Sequence, residues 1–304
     1  MTGAQVAADG RVVVGVDGSD PSMRAAAYAA GCARRRGIGL LVVHVTPRQG
    51  VHEALPTASR EVQERFRANA GALVQAAADA ARPAAGPVEV TAAVVDDYPV
   101  DGLLALSADA ALLVTGRRGA GGLPGLLLGS TAGALVQHAR CPVVALPDDV
   151  DLPDGTGEAV RRRPVVVGVE GQPDDERVLA FAVEEAAARG THVAAVHAWR
   201  DVTLEAAIGG FGPLVDWTAV AADEQRRLDE ALATRRPGGP AVRIEGTVSR
   251  DRPATALLQA SAGAELLVVG HRHRGVLARL GSTTHAVLHR AACPVAVVPL
   301  RDAD

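Results

Sequence analysis

The chain has 304 residues, 48% of them hydrophobic, enough for about two domains with buried cores. Its 31 basic and 35 acidic residues leave a formal charge of −4, so nothing electrostatic marks nucleic acid or an anionic membrane as a partner. All 31 basic residues are arginine, which excludes a lysine-bearing phosphate loop, a Schiff-base enzyme and a lysine general base.

In chain order, the first half alternates apolar runs with stretches of helical period. Strands are expected near 11–17, 40–46, 88–95, 110–116 and 142–146, and helices near 21–36, 58–81, 99–107 and 129–139. The runs are apolar on both faces, as parallel strands covered by helices require. Five strands alternating with four helices give a doubly wound α/β sheet, whose ligands sit beyond the carboxyl ends of the strands where the winding reverses.

The second half repeats the first. RVVVGVDGSDP from residue 11 returns as RPVVVGVEGQP from residue 163; His44 corresponds to His197, Gly116 to Gly270 and Cys141 to Cys293. The fold expected is therefore two tandem Rossmann-like domains, residues 10–147 and 163–300, each a five-stranded parallel sheet with helices on both faces. A linker rich in Pro, Gly and acidic residues, 148–162, joins them. The last strands, CPVVALP and CPVAVVPL, should lie at sheet edges, and pairing the halves through them would hide unpaired backbone; a homodimer is also compatible.

No run reaches the roughly 18 apolar residues of a membrane span, and MTGAQVAADGR lacks the layout of a secretion signal, so a cytoplasmic protein is expected. Cys32, Cys141 and Cys293 are odd in number and far apart, and read as small buried apolar residues.

The run TGRRGAGGLPGLLLGST, residues 115–131, gathers six glycines between a strand and a helix. Gly129, Ser130 and Thr131 open that helix, whose N-terminus offers unpaired amides and the positive end of the helix dipole, a natural seat for phosphate. Gly116 ends the strand, and Gly119, Gly121, Gly122 and Gly125 would let the loop fold inward, with Arg117 and Arg118 at the rim. Ser130 and Thr131 are also good N-caps, and ligand-free glycine loops are common, so the loop alone leaves both readings open. Asp17 ends the first strand facing the same crevice, where a carboxylate can accept hydrogen bonds from a ribose or base. Ser19 and Asp20 before Pro21 already supply the cap of the next helix, which releases Asp17 from that duty.

Strand one ending in Asp17, the pair His44–Val45, and Gly116, Arg117, Arg118, Gly119, nine residues, then Gly129–Ser130 resemble the universal stress protein family and the GxxG, nine residues, G[ST] signature of its ATP-binding members. The resemblance covers both halves and implies a tandem member. It implies ATP, with or without Mg2+, its adenine and ribose end held by Asp17, Ser19 and the backbone near Val45. Its phosphates would be held by Gly116, Arg118, Gly119, Gly129, Ser130 and Thr131. The second half departs from the pattern: Glu170 replaces Asp17, Gln172 replaces Ser19, His273 stands at the second glycine, and Gly270 lies two residues closer to Gly281 than Gly116 does to Gly129. Its helix start, Gly281, Ser282 and Thr283, is intact, so an anion site is expected there, with His271, Arg272 and Arg274 adding charge; nucleotide binding stays open.

The function expected is a nucleotide-dependent stress-response sensor or regulator with slow or no ATP hydrolysis and no dedicated catalytic residues. Two alternatives stand beside it. One is an ATP-using enzyme of the adenine-nucleotide alpha hydrolase group, for which Asp17 with Asp96 or Asp97 would supply the metal-binding acids; the other is an interaction module without nucleotide. His285 and His289, four apart near His271 and His273, have metal spacing but arginine neighbours, and read as solvated side chains rather than metal ligands. The carboxylates of AADEQRRLDE, 221–230, read as an exposed helix face.

Overall fold

The computed structural model describes residues 6–46, 60–119, 128–149, 163–172, 174–199, 216–233, 241–272 and 280–300. It divides into two compact units, Met1–Leu152 and Pro153–Asp304. Most of the linker, residues 150–162, lies outside the described residues, as do Gly121, Gly122, Gly125, His273 and Arg274.

In the first unit the elements run β1 (Val12–Gly15), α1 (Asp20–Arg36), β2 (Leu40–Thr46), α2 (Arg60–Ala85), β3 (Val90–Asp96), α3 (Pro99–Leu106), β4 (Leu112–Gly116), α4 (Ser130–His138) and β5 (Val143–Leu146). The strand order is β3-β2-β1-β4-β5, all neighbours parallel. Winding proceeds outward from β1 through β2 to β3, then restarts beside β1 at β4. With right-handed crossovers this puts α1 and α2, which touch each other, on one face and α3 and α4, also in contact, on the other. The carboxyl ends of β1 and β4 therefore part at a switch point.

Sandwiching explains the composition of the strands. Val12, Val13, Val14, Leu112, Leu113 and Val114 are all fully buried because helices cover both faces. The outermost strand β3 departs from this, with only Val90 buried. Beneath α1 the buried residues are chiefly alanines, Ala25, Ala26, Ala29, Ala30 and Ala33, which let the helix approach the sheet closely. Ser19 caps α1, its hydroxyl accepting from Ser22 N–H, and Gly37 ends it in the left-handed conformation, φ 65°. Helix α2 runs past the expected stop at 81: Pro83 forfeits one amide, but Ala81 and Ala85 are both fully buried one turn apart, and that packing carries the helix through.

The second unit repeats the plan with β6 (Val165–Val169), α5 (Asp175–Arg189), β7 (Val193–Ala198), α6 (Trp217–Ala233), β8 (Ile244–Ser249), α7 (Pro253–Ala260), β9 (Leu266–Arg272), α8 (Ser282–Arg290) and β10 (Val295–Leu300). Within it the order is β10-β9-β6-β7-β8, again parallel. A histidine ties the first two strands together in each unit: His44 Nδ1 lies 2.7 Å from the Val16 carbonyl and His197 Nδ1 2.8 Å from that of Val169. His197 Nε2 also faces Glu224 Oε2 at 2.9 Å, so the 221–230 face is not wholly a solvent face; Glu224 turns inward to hold α6 on β7. Trp199 and Trp217 stack at a centroid distance of 6.0 Å, with the Arg250 guanidinium 3.7 Å from the Trp217 ring centre.

All three cysteines are free and buried. Burial pushes the Cys141 thiol up to about 12 and the Cys293 thiol up to about 11. The native chain is expected to react with a thiol reagent such as Ellman's at well under one equivalent near pH 8, and with three equivalents in denaturant. Leu113, fully buried in β4, reports on the first core: Leu113→Ala should lower stability by about 2–5 kcal/mol, read as a shifted urea midpoint.

Candidate functional site

Cavities open at the carboxyl ends of the strands in both units. The first, about 470 Å³, is lined by Gly15, Val16 and Asp17 after β1, Ser22 on α1, Val43, His44 and Val45 on β2, Pro99 and Leu103 on α3, Thr115 and Gly116 on β4, and then Arg117, Arg118, Gly119, Gly129, Ser130, Thr131 and Ala132. A cavity of this size suits a small organic ligand. Of the residues singled out in the first half, Asp17, Val45, Gly116, Arg118, Gly119, Gly129, Ser130 and Thr131 come together here. Ser19 does not line it. Its Oγ and backbone N–H donate to Asp17 Oδ1 at 2.6 and 3.0 Å, so it orients Asp17 while capping α1.

Asp17 stands two residues beyond β1, in a turn that several hydrogen bonds shape. Its N–H donates to Ser22 Oγ at 3.3 Å, and Gly18 adopts φ 85°. With Oδ1 engaged by Ser19, Oδ2 points towards Gly119, where a Cβ would stand only 2.5 Å from it. Gly119 therefore exists to admit the carboxylate. Gly116 answers a different demand, since its Cβ would meet the Arg118 carbonyl at 3.0 Å and the Pro21 carbonyl carbon at 3.2 Å.

Gly129 differs from both. Its φ of −69° is open to any residue, and an added Cβ would meet nothing nearer than 3.5 Å. As N-cap of α4 it supplies no side-chain hydrogen bond, although Ser, Thr, Asn or Asp would stabilise the helix there. Its own N–H donates to the Arg117 carbonyl at 2.8 Å, and Gly133 N–H returns to the Gly129 carbonyl at 2.9 Å. Ser130, Thr131 and Ala132, whose N–H groups precede that first helical bond at the positive end of the helix dipole, line the cavity. The protein's own packing gives no reason for glycine at 129, whereas close approach by an external group does.

Two arginines frame this amide cradle. Arg118 pairs with Asp148, a buried carboxylate just past β5, while burial lowers the Arg117 guanidinium from its ordinary range against the opposing pull of Asp148. Asp148 had been placed in the linker; its burial assigns it to the site's support.

The second cavity, about 390 Å³, brings together Glu170, Gly270, Gly281, Ser282 and Thr283 with Gly168, Val169, Asp175, Val178, Val196, Ala198, Pro253, Leu257, Val269, His271, Arg272, Thr284 and Leu300. Gly281 again caps a helix without a side-chain bond and has nothing within 4 Å of an added Cβ. Asp175 takes the place of Ser22: 6% exposed, it accepts from Glu170 N–H at 3.0 Å and Gln172 N–H at 2.8 Å, and burial pushes its carboxyl up. Arg272 does not turn towards the last strand as Arg118 does. It bonds Asp174 at 2.9 Å and Glu170 at 3.1 Å, and Asp174 holds its pKa up.

Sequence reasoning did not identify Ser22, His44, Thr115, Asp148, Asp174 or Asp175 as site or support. The correspondence of Ser22 with Asp175 in the aligned repeats was the available signal for those two. Asp96 and Asp97 lie at the end of β3, outside the described lining, in which Asp17 is the carboxylate present. His285 and His289 stack at 4.1 Å, and among the described residues no group of three or more His, Cys, Asp or Glu gathers. No helix among the described residues is long and apolar enough to cross a membrane.

The universal stress protein family matches residues 10–147 and again 161–299. Universal stress protein Rv2005c of Mycobacterium tuberculosis is 38% identical over 296 residues, covering 94% of this chain and 96% of that one. Universal stress protein Rv2623 of the same organism is 36% identical over 293 residues, with 94% and 95% covered. The crystal structure of a universal stress protein from Archaeoglobus fulgidus is similar in fold, with a TM-score of 0.67 and 19% identity over 96% of this chain and 97% of that one. With two successive matches and relatives that run its length, the chain belongs to the universal stress protein family.

Proposed function

We propose that the first unit binds an adenine nucleotide, ATP with or without Mg2+, and that the chain acts as a nucleotide-dependent regulator of stress responses with slow or no hydrolysis. The observation that carries this is Gly129, a helix N-cap that neither backbone geometry nor packing requires to be glycine, opening three first-turn amides onto a cavity of about 470 Å³. On this reading the phosphates rest on the amides of Ser130, Thr131 and Ala132, with Gly116, Gly119 and the Arg118 guanidinium around them. Asp17, fixed by Ser19, accepts from the ribose, and Val45 flanks the base.

The residues fit such a ligand in chemistry as well as space. Amides and guanidinium groups match phosphate oxygens, and the lone carboxylate of the described lining, Asp17, is an acceptor for hydroxyls. The described lining offers no nucleophile paired with a base, so the residues bind and orient rather than transfer protons. A bound Mg2+ would offset phosphate charge; the domains would be 10–147 and 163–300, in the cytoplasm.

Two substitutions test the seat. Gly129→Asp places a carboxylate at the helix N-terminus facing the phosphates and should weaken ATP binding at least about tenfold by calorimetry, with an unchanged circular-dichroism spectrum. Unaltered affinity would remove the assignment. Gly119→Ala drives a methyl group into Asp17 Oδ2 and should weaken ATP roughly tenfold, the equivalent of one hydrogen bond. Its thermal midpoint should stay within a few degrees of the parent.

A further inference from the structure

The two cavities share a scaffold but differ in the charge that their described linings turn towards a ligand. In the described lining of the first, Arg117 and Arg118 outnumber Asp17; in that of the second, Glu170 and Asp175 outnumber Arg272. The partners of the guanidinium groups differ as well. Arg118 is drawn to Asp148 at the end of β5, away from the β1–α1 turn. Its counterpart Arg272 reaches the other way, to the β6–α5 turn, and pairs with both Glu170 and Asp174. The carboxylate at the position of Asp17 is thus already engaged by a guanidinium. Asp174 and Asp175 stand where the first unit has Pro21 and Ser22, neither of which carries charge.

We propose that the second cavity takes an adenine ligand carrying no more than one phosphate, with Arg272 as its counter-charge, and that Glu170, Asp174 and Asp175 exclude the triphosphate. This rests on reading the cavities as nucleotide sites. The amide cradle at Ser282 and Thr283 is kept, so a single phosphoryl group finds the same donors as in the first unit. Further phosphates meet carboxylates. Two of these, Glu170 and Asp174, hold Arg272 at the β6–α5 turn. The third, Asp175, is 6% exposed, and repulsion is screened least where water is excluded. Specificity here is repulsive: the site is built against the more highly charged competitor.

The test uses the full chain carrying Gly129→Asp, so that binding at the first cavity is weakened, with AMP and ATP titrated separately by calorimetry and the unsubstituted chain run in parallel. AMP is expected to bind the second cavity at least about tenfold more tightly than ATP. Glu170→Gln combined with Asp174→Asn should bring the two affinities within about threefold, and Asp175→Asn, which keeps an acceptor for the Glu170 and Gln172 amides, should move the ratio the same way. Arg272→Ala should lower AMP affinity at least about tenfold. ATP binding as tightly as AMP, or a ratio unmoved by the carboxylate substitutions, overturns the proposal. One equivalent of ATP in the unsubstituted chain with no AMP bound at the second cavity also overturns it, while leaving the first-site reading intact; absence of binding by either nucleotide to the unsubstituted chain defeats both.

Discussion

Burial of a parallel sheet on both faces is the constraint from which the rest follows. A strand such as β1 or β4, apolar on each side, is stable only when helices cover both faces, and parallel neighbours can be joined only by a crossover that supplies such a helix. Every strand-to-helix turn then falls at the same edge of the sheet. Reversal of winding between β1 and β4 separates two of those turns, leaving a cleft floored by strand ends and walled by helix starts. The cleft is thus a by-product of covering the sheet, and the chemistry in it is decided by a few turn residues that do not enter the core.

The three motif glycines of the first unit illustrate how a single residue type answers separate physical demands. Gly116 allows the first turn of α1 to pack against β4, Gly119 leaves room for the Asp17 carboxylate, and Gly129 stands where a Cβ would make only ordinary contacts with the protein. Only the last speaks directly of a ligand. The second unit repeats the division in altered form: Gly270 packs beneath Leu300 and Val178, and Gly281 stands clear.

Much of this was legible in the sequence because it is local or periodic. The tandem repeat, the alternation of strand and helix and the Ser19 cap all follow from spacing and residue type along short segments. The glycine run pointed to a helix N-terminus, and its companion Asp17 was found by elimination, since Ser19 had already taken the capping role. What escaped was long-range. Arg118 and Asp148 are 30 residues apart and meet only because β4 and β5 are neighbours. Arg272 and Glu170 are 102 apart and meet only through the pairing of β6 with β9. Glu224 looked solvent-facing at helical spacing, and only the placement of α6 over β7 brings it to His197. Helix α2 continues past the expected stop at 81 because buried alanines outweigh the amide lost at Pro83.

Duplication has left the two units unequally equipped with aromatic residues. The chain has two tryptophans, and both belong to the second unit, stacked beside Arg250 where β7 and β8 end, next to Ala198 and Pro253 of the second cavity. Light selectively absorbed by indole therefore interrogates one repeat and is blind to the other. Emission colour and quenching give each experimenter a built-in dye for that repeat alone, without any label being attached.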